Sequence, residues 1–147
     1  MEKTIVPGVE VRMDIEENNG TVMGDADQLK QMVVHLCTNA AQAMEESGGL
    51  LAVGLTTIRI DKAALPYYPD LESGLFVQLL VHDTGQGIGN GIQHRIFDPY
   101  FTTKDAGNGT GFGLAFVRRV IHQHHGTISV YSEPGCGTRV KVLLPRV

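Results

Sequence analysis

The sequence predicts an α+β protein: a two-layer α/β sandwich in which a mixed five-stranded sheet carries its helices on one face. Three observations point there. About five segments of the 147 residues show strand patterning, while only two show a strong helical period, one early and one late. No strand–helix–strand rhythm repeats along the chain, which disfavours a doubly wound parallel sheet. Glycine is abundant and unevenly placed: it makes up 18 of 147 residues, about 12%, against an average near 7%. Eight of these lie between Gly85 and Gly113, a concentration expected where backbone must approach something closely or move.

Val9, Val11, Met13 and Ile15 alternate with Glu10, Arg12, Asp14 and Glu16, the period of a half-buried strand. Asn18-Asn19-Gly20 gives a turn, and 21–23 reads as a short second strand. Asp25 stands at the N-cap of the first helix, with Gln28 placed to close a capping box. Leu29, Met32, Val33, Leu36, Cys37, Ala40, Ala41 and Met44 then recur on one apolar face, and Gly48-Gly49 reads as the stop. A strand over about 50–60 follows. The connection 61–74, with Pro66 and Pro69, is longer than a minimal link. The run 75–83 is a strand that delivers Asp83 to the first glycine cluster. Residues 84–110 read as mostly irregular. A second helix is expected from about Gly113 to His125, apolar at Leu114, Val117 and Ile121, with Gly126 as its stop. A hairpin closes the chain: 127–132 and 138–144, joined through Glu133-Pro134-Gly135-Cys136-Gly137.

Composition narrows the function. Twelve Lys and Arg against sixteen Asp and Glu give a net charge of −4 with no long basic run, so a nucleic-acid footprint is not expected. No stretch approaches the length of a membrane helix, and MEKTIVPG lacks the layout of a secretory signal. The two cysteines, Cys37 and Cys136, have no CxxC partner, which suits reduced thiols in the cytoplasm.

Three groups of residues carry chemistry. On the first helix His35 and Asn39 stand one turn apart, with Gln42 three residues beyond on the same side; an amide oxygen is a hard ligand suited to Mg²⁺. Asp83, followed by Thr84-Gly85-Gln86-Gly87-Ile88, sets a carboxylate at a strand end, where it can accept from the exocyclic amino group of adenine. Guanine offers an acceptor at that position. Gly85 and Gly87 let the backbone pass close to the ring. Gly107-Asn108-Gly109-Thr110-Gly111-Phe112-Gly113-Leu114 runs into the second helix, and free N–H groups at a helix start form an anion site. Neither GxxxxGK[ST] nor GxGxxG is present, so a P-loop and a dinucleotide fingerprint are both excluded.

Taken together, HLCTNAAQA, DTGQGI, FDPYFTTK and GNGTGFGLA, with GCGTRVKVLLP closing the chain, resemble the boxes of the ATP-binding catalytic domain of sensor histidine kinases. That family belongs to a wider group (the Bergerat fold) with DNA gyrase B, Hsp90 and MutL. FDPYFTTK is most similar to the soluble nitrogen- and oxygen-responsive branch. The resemblance runs from Asp25 to Pro145 and implies ATP with Mg²⁺. It makes Asn39 the magnesium ligand, assisted by His35 or Gln42, with His35 and Asn39 as the catalytic pair. It places Asp83 on the adenine amino group, with Gly85, Gly87 and Ile88 beside the ring and Thr138 contacting adenine by its hydroxyl or a bridging water. Residues 89–108 become a flexible ATP lid pegged by Phe97. Gly109, Thr110, Gly111 and Gly113 meet the phosphates, with Leu114 beneath, Ala43 beside the site and Lys104 as a further phosphate contact.

One position departs from the family pattern: many of these kinases have Asn where His35 stands, and the ATP-hydrolysing relatives have Glu. The same Glu is usual in serine kinases of the anti-sigma-factor type. His35 therefore argues against both of those alternatives, and the intact boxes argue against a non-catalytic nucleotide-sensing module. His94 precedes Asp98-Pro99 but lacks the adjacent acid of a phospho-acceptor. The acceptor-histidine hairpin is absent from the sequence, so 1–147 is expected to be a single catalytic domain of a larger two-component kinase. The implied partners are the acceptor and dimerisation domain of that kinase and a response regulator. The domain alone is expected to be a monomer without membrane contact, and the full-length kinase a homodimer. His122, His124 and His125, at the end of the second helix, also form a candidate metal cluster.

Overall fold

The alternating and helical patterns resolve into seven elements in a computed structural model that describes residues 8–16, 21–44, 48–69, 71–87 and 114–146. Strands β1 (Val9–Ile15), β2 (Gly49–Ile60), β3 (Gly74–Asp83), β4 (Thr127–Glu133) and β5 (Gly137–Pro145) form one sheet in the order β1-β2-β3-β5-β4. Helix α1 (Ala26–Ala43) lies between β1 and β2 in sequence, and α2 (Ala115–Gln123) precedes β4. β1 and β2 are parallel, with α1 in the crossover that a parallel return requires. The other three pairings are antiparallel. The sheet is therefore mixed, as the sequence predicts, with one strand–helix–strand unit that does not repeat.

Strand periodicity decides which side chains meet the helices. Val53, Val81 and Val140 form one cross-strand row, and Leu55, Leu79 and Val142 the next. Both rows pack with Met32, Leu36 and Ala40 of α1 and with Val117, Val120 and Ile121 of α2. Burying one such side chain stabilises by about 1.5–3 kcal/mol. The exposed Arg12–Glu10 ion pair, at 3.4 Å, contributes about 0–1 kcal/mol. Apolar burial thus holds the layers together. Among the described residues, the opposite face of the sheet is covered at one end. There the connection 61–73, which contains a short 3-10 turn at Leu65–Tyr67, makes a second cluster from Ile60, Leu71, Phe76 and Leu143.

Several boundaries differ from the sequence reading, each for a local reason. Residues 21–23 form no strand of their own; Val22 makes a single bridge to Arg146. Asp25 is the N-cap of α1 and accepts from the Asp27 and Gln28 N–H groups at 2.9 and 3.2 Å. The box is not closed by Gln28: the Asp25 N–H donates to His124 Nε2 at 3.0 Å. α1 ends at Ala43 with Met44 as its C-cap, before Gly48. α2 spans Ala115–Gln123 rather than 113–125, and its terminator is not Gly126. His125 takes the left-handed conformation (φ 62), while the His125 and Gly126 N–H groups donate to His122 O and Ile121 O at 3.1 and 2.9 Å, a Schellman closure. Gly126 is needed for space instead, because a β-carbon there would collide with Leu143 O. None of the helices is long and apolar enough to cross a membrane, among the described residues.

Candidate functional site

Two residues beyond the Val53–Val81–Val140 row, the same alternation lines up Leu51, Asp83, Thr138 and Ser132 across β2, β3, β5 and β4. The row that would continue the core turns polar on three strands. Asp83 is 5% exposed and Thr138 and Ser132 are each 7% exposed. The Asp83 carboxylate accepts from the Gly85 N–H at 2.9 Å. Burial raises its pKa above the ordinary carboxylate value, opposed by hydrogen bonds from the backbone of Gly85 and Thr138 and by the charge of nearby His82. Ser132 Oγ donates to Gly137 O at 2.9 Å and lies 2.9 Å from Thr138 Oγ1.

Asp83 and Thr138 line a small cavity of about 20 Å³ together with Leu36, Asn39, Ala40 and Leu114. Asn39 also lines a second space, an open groove of about 630 Å³ between α1 and the first turn of α2, with Asp27, Lys30, His35 and Phe116. Asn39 thus stands where a buried polar floor meets an open groove. Asn39 Oδ1, Asn39 Nδ2 and His35 Nε2 are buried without a hydrogen-bond partner among the described residues. Buried polar groups are almost always paired, so three orphan atoms on adjacent turns of one helix mark a place built to receive polar atoms from outside. The His35 and Phe116 rings lie 6.3 Å apart, and the Arg119 guanidinium sits over Phe116 at 5.5 Å. Gln42, one turn further along α1, is half-buried with an interaction of its own and lines neither space.

The segment after Asp83 is strapped down at both sides. Gln86 N–H donates to Ala43 O at 3.3 Å, and Gln86 O accepts from the Gly135 N–H at 2.7 Å. Gly85 lies so close to α1 that a β-carbon would be 2.6 Å from Ala43 O. Gly87 has φ 74 and a β-carbon there would collide with Glu133 O. Neither position admits a side chain, so both glycines and Ala43 O serve close backbone packing of the segment that follows Asp83.

Ile88, Lys104, Gly109, Thr110, Gly111 and Gly113 lie outside the described residues, as do the predicted lid 89–108, Phe97 and His94. No group of three or more His, Cys, Asp or Glu could hold a metal among the described residues, so the metal-cluster reading of His122, His124 and His125 is not supported. His124 is 8% exposed and has both ring nitrogens engaged within the protein, Nε2 with Asp25 and Nδ1 with Val120 O at 2.7 Å. Sequence reasoning missed Ser132, and it missed Thr84, whose Oγ1 accepts from the Leu50 N–H at 3.0 Å. Phe116, which borders the groove, was missed as well.

Comparison with known proteins agrees with this geometry. The family model described as histidine kinase-, DNA gyrase B- and HSP90-like ATPase matches residues 24–147. The sensor kinase CckA of Brucella abortus (strain 2308) is 40% identical over 139 residues, covering 95% of this chain and 15% of that protein. The chain therefore spans only a small part of that relative's length. Among solved structures, the catalytic domain of the histidine kinase ThkA in a nucleotide-free form superposes with a TM-score of 0.68 at 25% identity, over 92% of this chain and 79% of that one. Full-length ShkA in complex with AMPPNP gives 0.67 at 27% identity, over 94% of this chain and 26% of that one. With a buried carboxylate ending β3, an orphaned asparagine one layer above it and a matching fold, this chain belongs to the histidine kinase-, DNA gyrase B- and HSP90-like ATPase family, as an ATP-binding domain of the sensor histidine kinase kind.

Proposed function

We propose that the domain binds ATP with Mg²⁺ and presents the γ-phosphoryl group to a histidine on a separate acceptor and dimerisation domain of the same kinase. The reaction is a cytoplasmic one, and the phosphohistidine then supplies a response regulator. The observation that carries this reading is the position of Asn39, shared between the cavity that holds Asp83 and Thr138 and the groove that holds His35 and Lys30. A nucleotide whose base rests against Asp83 would run its phosphates past Asn39 into that groove.

Each residue then has a task set by its chemistry. The Asp83 carboxylate accepts from the six-position amino group of the base. Gly85 and Gly87 keep the adjoining backbone close to the ring. Asn39 Oδ1 and His35 Nε2 fit a hydrated divalent ion, which keeps several waters and takes one or two protein ligands, and Asn39 Nδ2 can donate to a phosphate oxygen. Asn39 would hold it, with His35 directly or through water. When bound, Mg²⁺ neutralises charge on the phosphates. Lys30 lines the same groove and adds a cation on the protein side. The acceptor imidazole brings its own nucleophilic nitrogen: an N–P bond forms, the bond to the β-phosphate oxygen breaks, and ADP leaves. The domain therefore has to position and neutralise rather than activate water, in keeping with His35 where the hydrolases of the group have Glu.

The test pairs calorimetry with transfer. The domain with Mg²⁺ is expected to bind ATP at least about tenfold tighter than GTP. Given γ-labelled ATP and a histidine-bearing helical hairpin in trans, it is expected to label the hairpin in an acid-labile form. Firm ATP binding without transfer would favour a nucleotide-sensing module, acid-stable label a serine kinase, and equal affinity for GTP would overturn the base assignment.

A further inference from the structure

Resting on the ATP reading above, we infer that Ser132 is a specificity-determining positioning residue: it fixes the direction of the Thr138 hydroxyl, so that the Asp83 and Thr138 side chains both meet the base as hydrogen-bond acceptors.

A serine hydroxyl has one hydrogen and a carbonyl oxygen has none. The 2.9 Å contact from Ser132 Oγ to Gly137 O therefore uses the serine hydrogen. The same Oγ lies 2.9 Å from Thr138 Oγ1, and with the serine hydrogen already engaged this contact must be Thr138 donating to Ser132. The only hydrogen of the Thr138 hydroxyl then points along the sheet toward β4, and its free lone pair is left for the cavity that Thr138 shares with Asp83. The Asp83 carboxylate, which takes the Gly85 N–H at 2.9 Å, is an acceptor as well. Both side chains are buried, so water does not compete freely for them.

Such a floor complements a purine with a six-amino group and opposes one with a six-oxo group, whose oxygen would meet two acceptors with no hydrogen between them. Leaving a buried polar atom unpaired costs about 1–3 kcal/mol, which is about tenfold or more in affinity. The ring nitrogen beside the amino group is an acceptor too. A water donating one hydrogen to it and one to Thr138 Oγ1 would satisfy both, and the cavity of about 20 Å³ has room for about one water. Asp83 alone already favours the amino group. Ser132 removes the alternative in which the threonine hydroxyl turns round and donates to a six-oxo base.

Inosine triphosphate is the informative probe, because it differs from ATP only by an oxo group at position six and a hydrogen on the neighbouring ring nitrogen. Calorimetry with Mg²⁺ is expected to show the intact domain binding ATP at least about tenfold tighter than ITP. Ser132→Ala is expected to narrow that ratio at least about threefold. Thr138→Val is expected to narrow it too, and adding Ser132→Ala to Thr138→Val to change it no further, since no hydroxyl remains to be oriented. A purely structural serine would weaken both nucleotides alike. An unchanged ATP/ITP ratio in Ser132→Ala, or further narrowing in the double variant, overturns the inference while leaving the ATP reading intact. If the unsubstituted domain binds neither nucleotide, the ATP reading itself fails. Should Ser132→Ala not fold, Ser132→Cys reads the same ratio, because a thiol is a poor acceptor for the threonine hydrogen.

Discussion

Asn39 holds two polar atoms that have no partner among the described residues, and this separates its effect on stability from its effect on binding. Asn39→Ala removes two unsatisfied groups and improves helix propensity, so the nucleotide-free domain is expected to gain about 1 kcal/mol in urea denaturation. The same change is expected to lower Mg-ATP affinity at least about tenfold by calorimetry, whereas His35→Asn keeps most of it. Loss of stability together with loss of binding would mean that the asparagine serves the core. Asp83 gives a pH prediction. Its pKa is raised by burial from the ordinary 3.8, so the folded state binds this proton more readily than the unfolded one. Its contribution is therefore present at low pH and is lost as pH rises from 3.8 through the raised folded value. The stability difference between the unsubstituted domain and Asp83→Asn is expected to shift toward the variant over that rise, as read from melting temperatures. A difference moving the other way would show that hydrogen bonds, not burial, dominate the carboxylate. Asp83 and Asn39 were legible in the sequence because each sits at a place that periodicity defines, a strand end and a helix face. Ser132 was not. It is one serine in a strand, and its meaning comes from Thr138, six residues away across a turn.

Helices show the same division between local and remote signals. The apolar stripe of α1 and the cap at Asp25 are short-range features, and both are found where the sequence places them. What the local pattern misassigns is the partner of the Asp25 N–H. A capping box offers Gln28, yet His124, 99 residues on, takes the bond. Gly24 makes room for it, since a β-carbon at Gly24 would run into the imidazole ring. A carbonyl only accepts and an N–H only donates, so the contacts to Val120 O and Asp25 N fix His124 with its proton on Nδ1. The start of α1 and the end of α2 are thereby tied by one side chain. His124→Ala leaves the Asp25 N–H unpaired, while Val120 O keeps the backbone N–H of residue 124 at 3.1 Å; the change is expected to cost about 2 kcal/mol, measured as a lower urea midpoint with an unchanged slope. Gln28→Ala is expected to change little. The reverse order would restore the local capping box. The second helix stop differs for a related reason: the sequence points to Gly126 as the left-handed residue, whereas His125 adopts that conformation and Gly126 answers to crowding by Leu143.

At the scale of the molecule, the sheet order β1-β2-β3-β5-β4 makes the site a property of registry rather than of any one motif. Class, strand count and the helix-covered face were readable from alternation and from the absence of a repeating crossover. The strand order was not, because cross-strand neighbours such as Asp83 and Thr138 lie 55 residues apart, and no local pattern carries such a distance. The connection 61–73 was read as an insertion and is also a structural cover, closing Ile60, Phe76 and Leu143 beneath it. It lies at the opposite end of β3 from Asp83, and a strand of ten residues spans roughly 33 Å. Tyr67, at the crest of this cover, is 82% exposed. The molecule therefore offers a handle remote from the proposed site: a dye, a tether or a surface attachment at position 67 leaves the Asp83 end of β3 away from whatever it is fixed to.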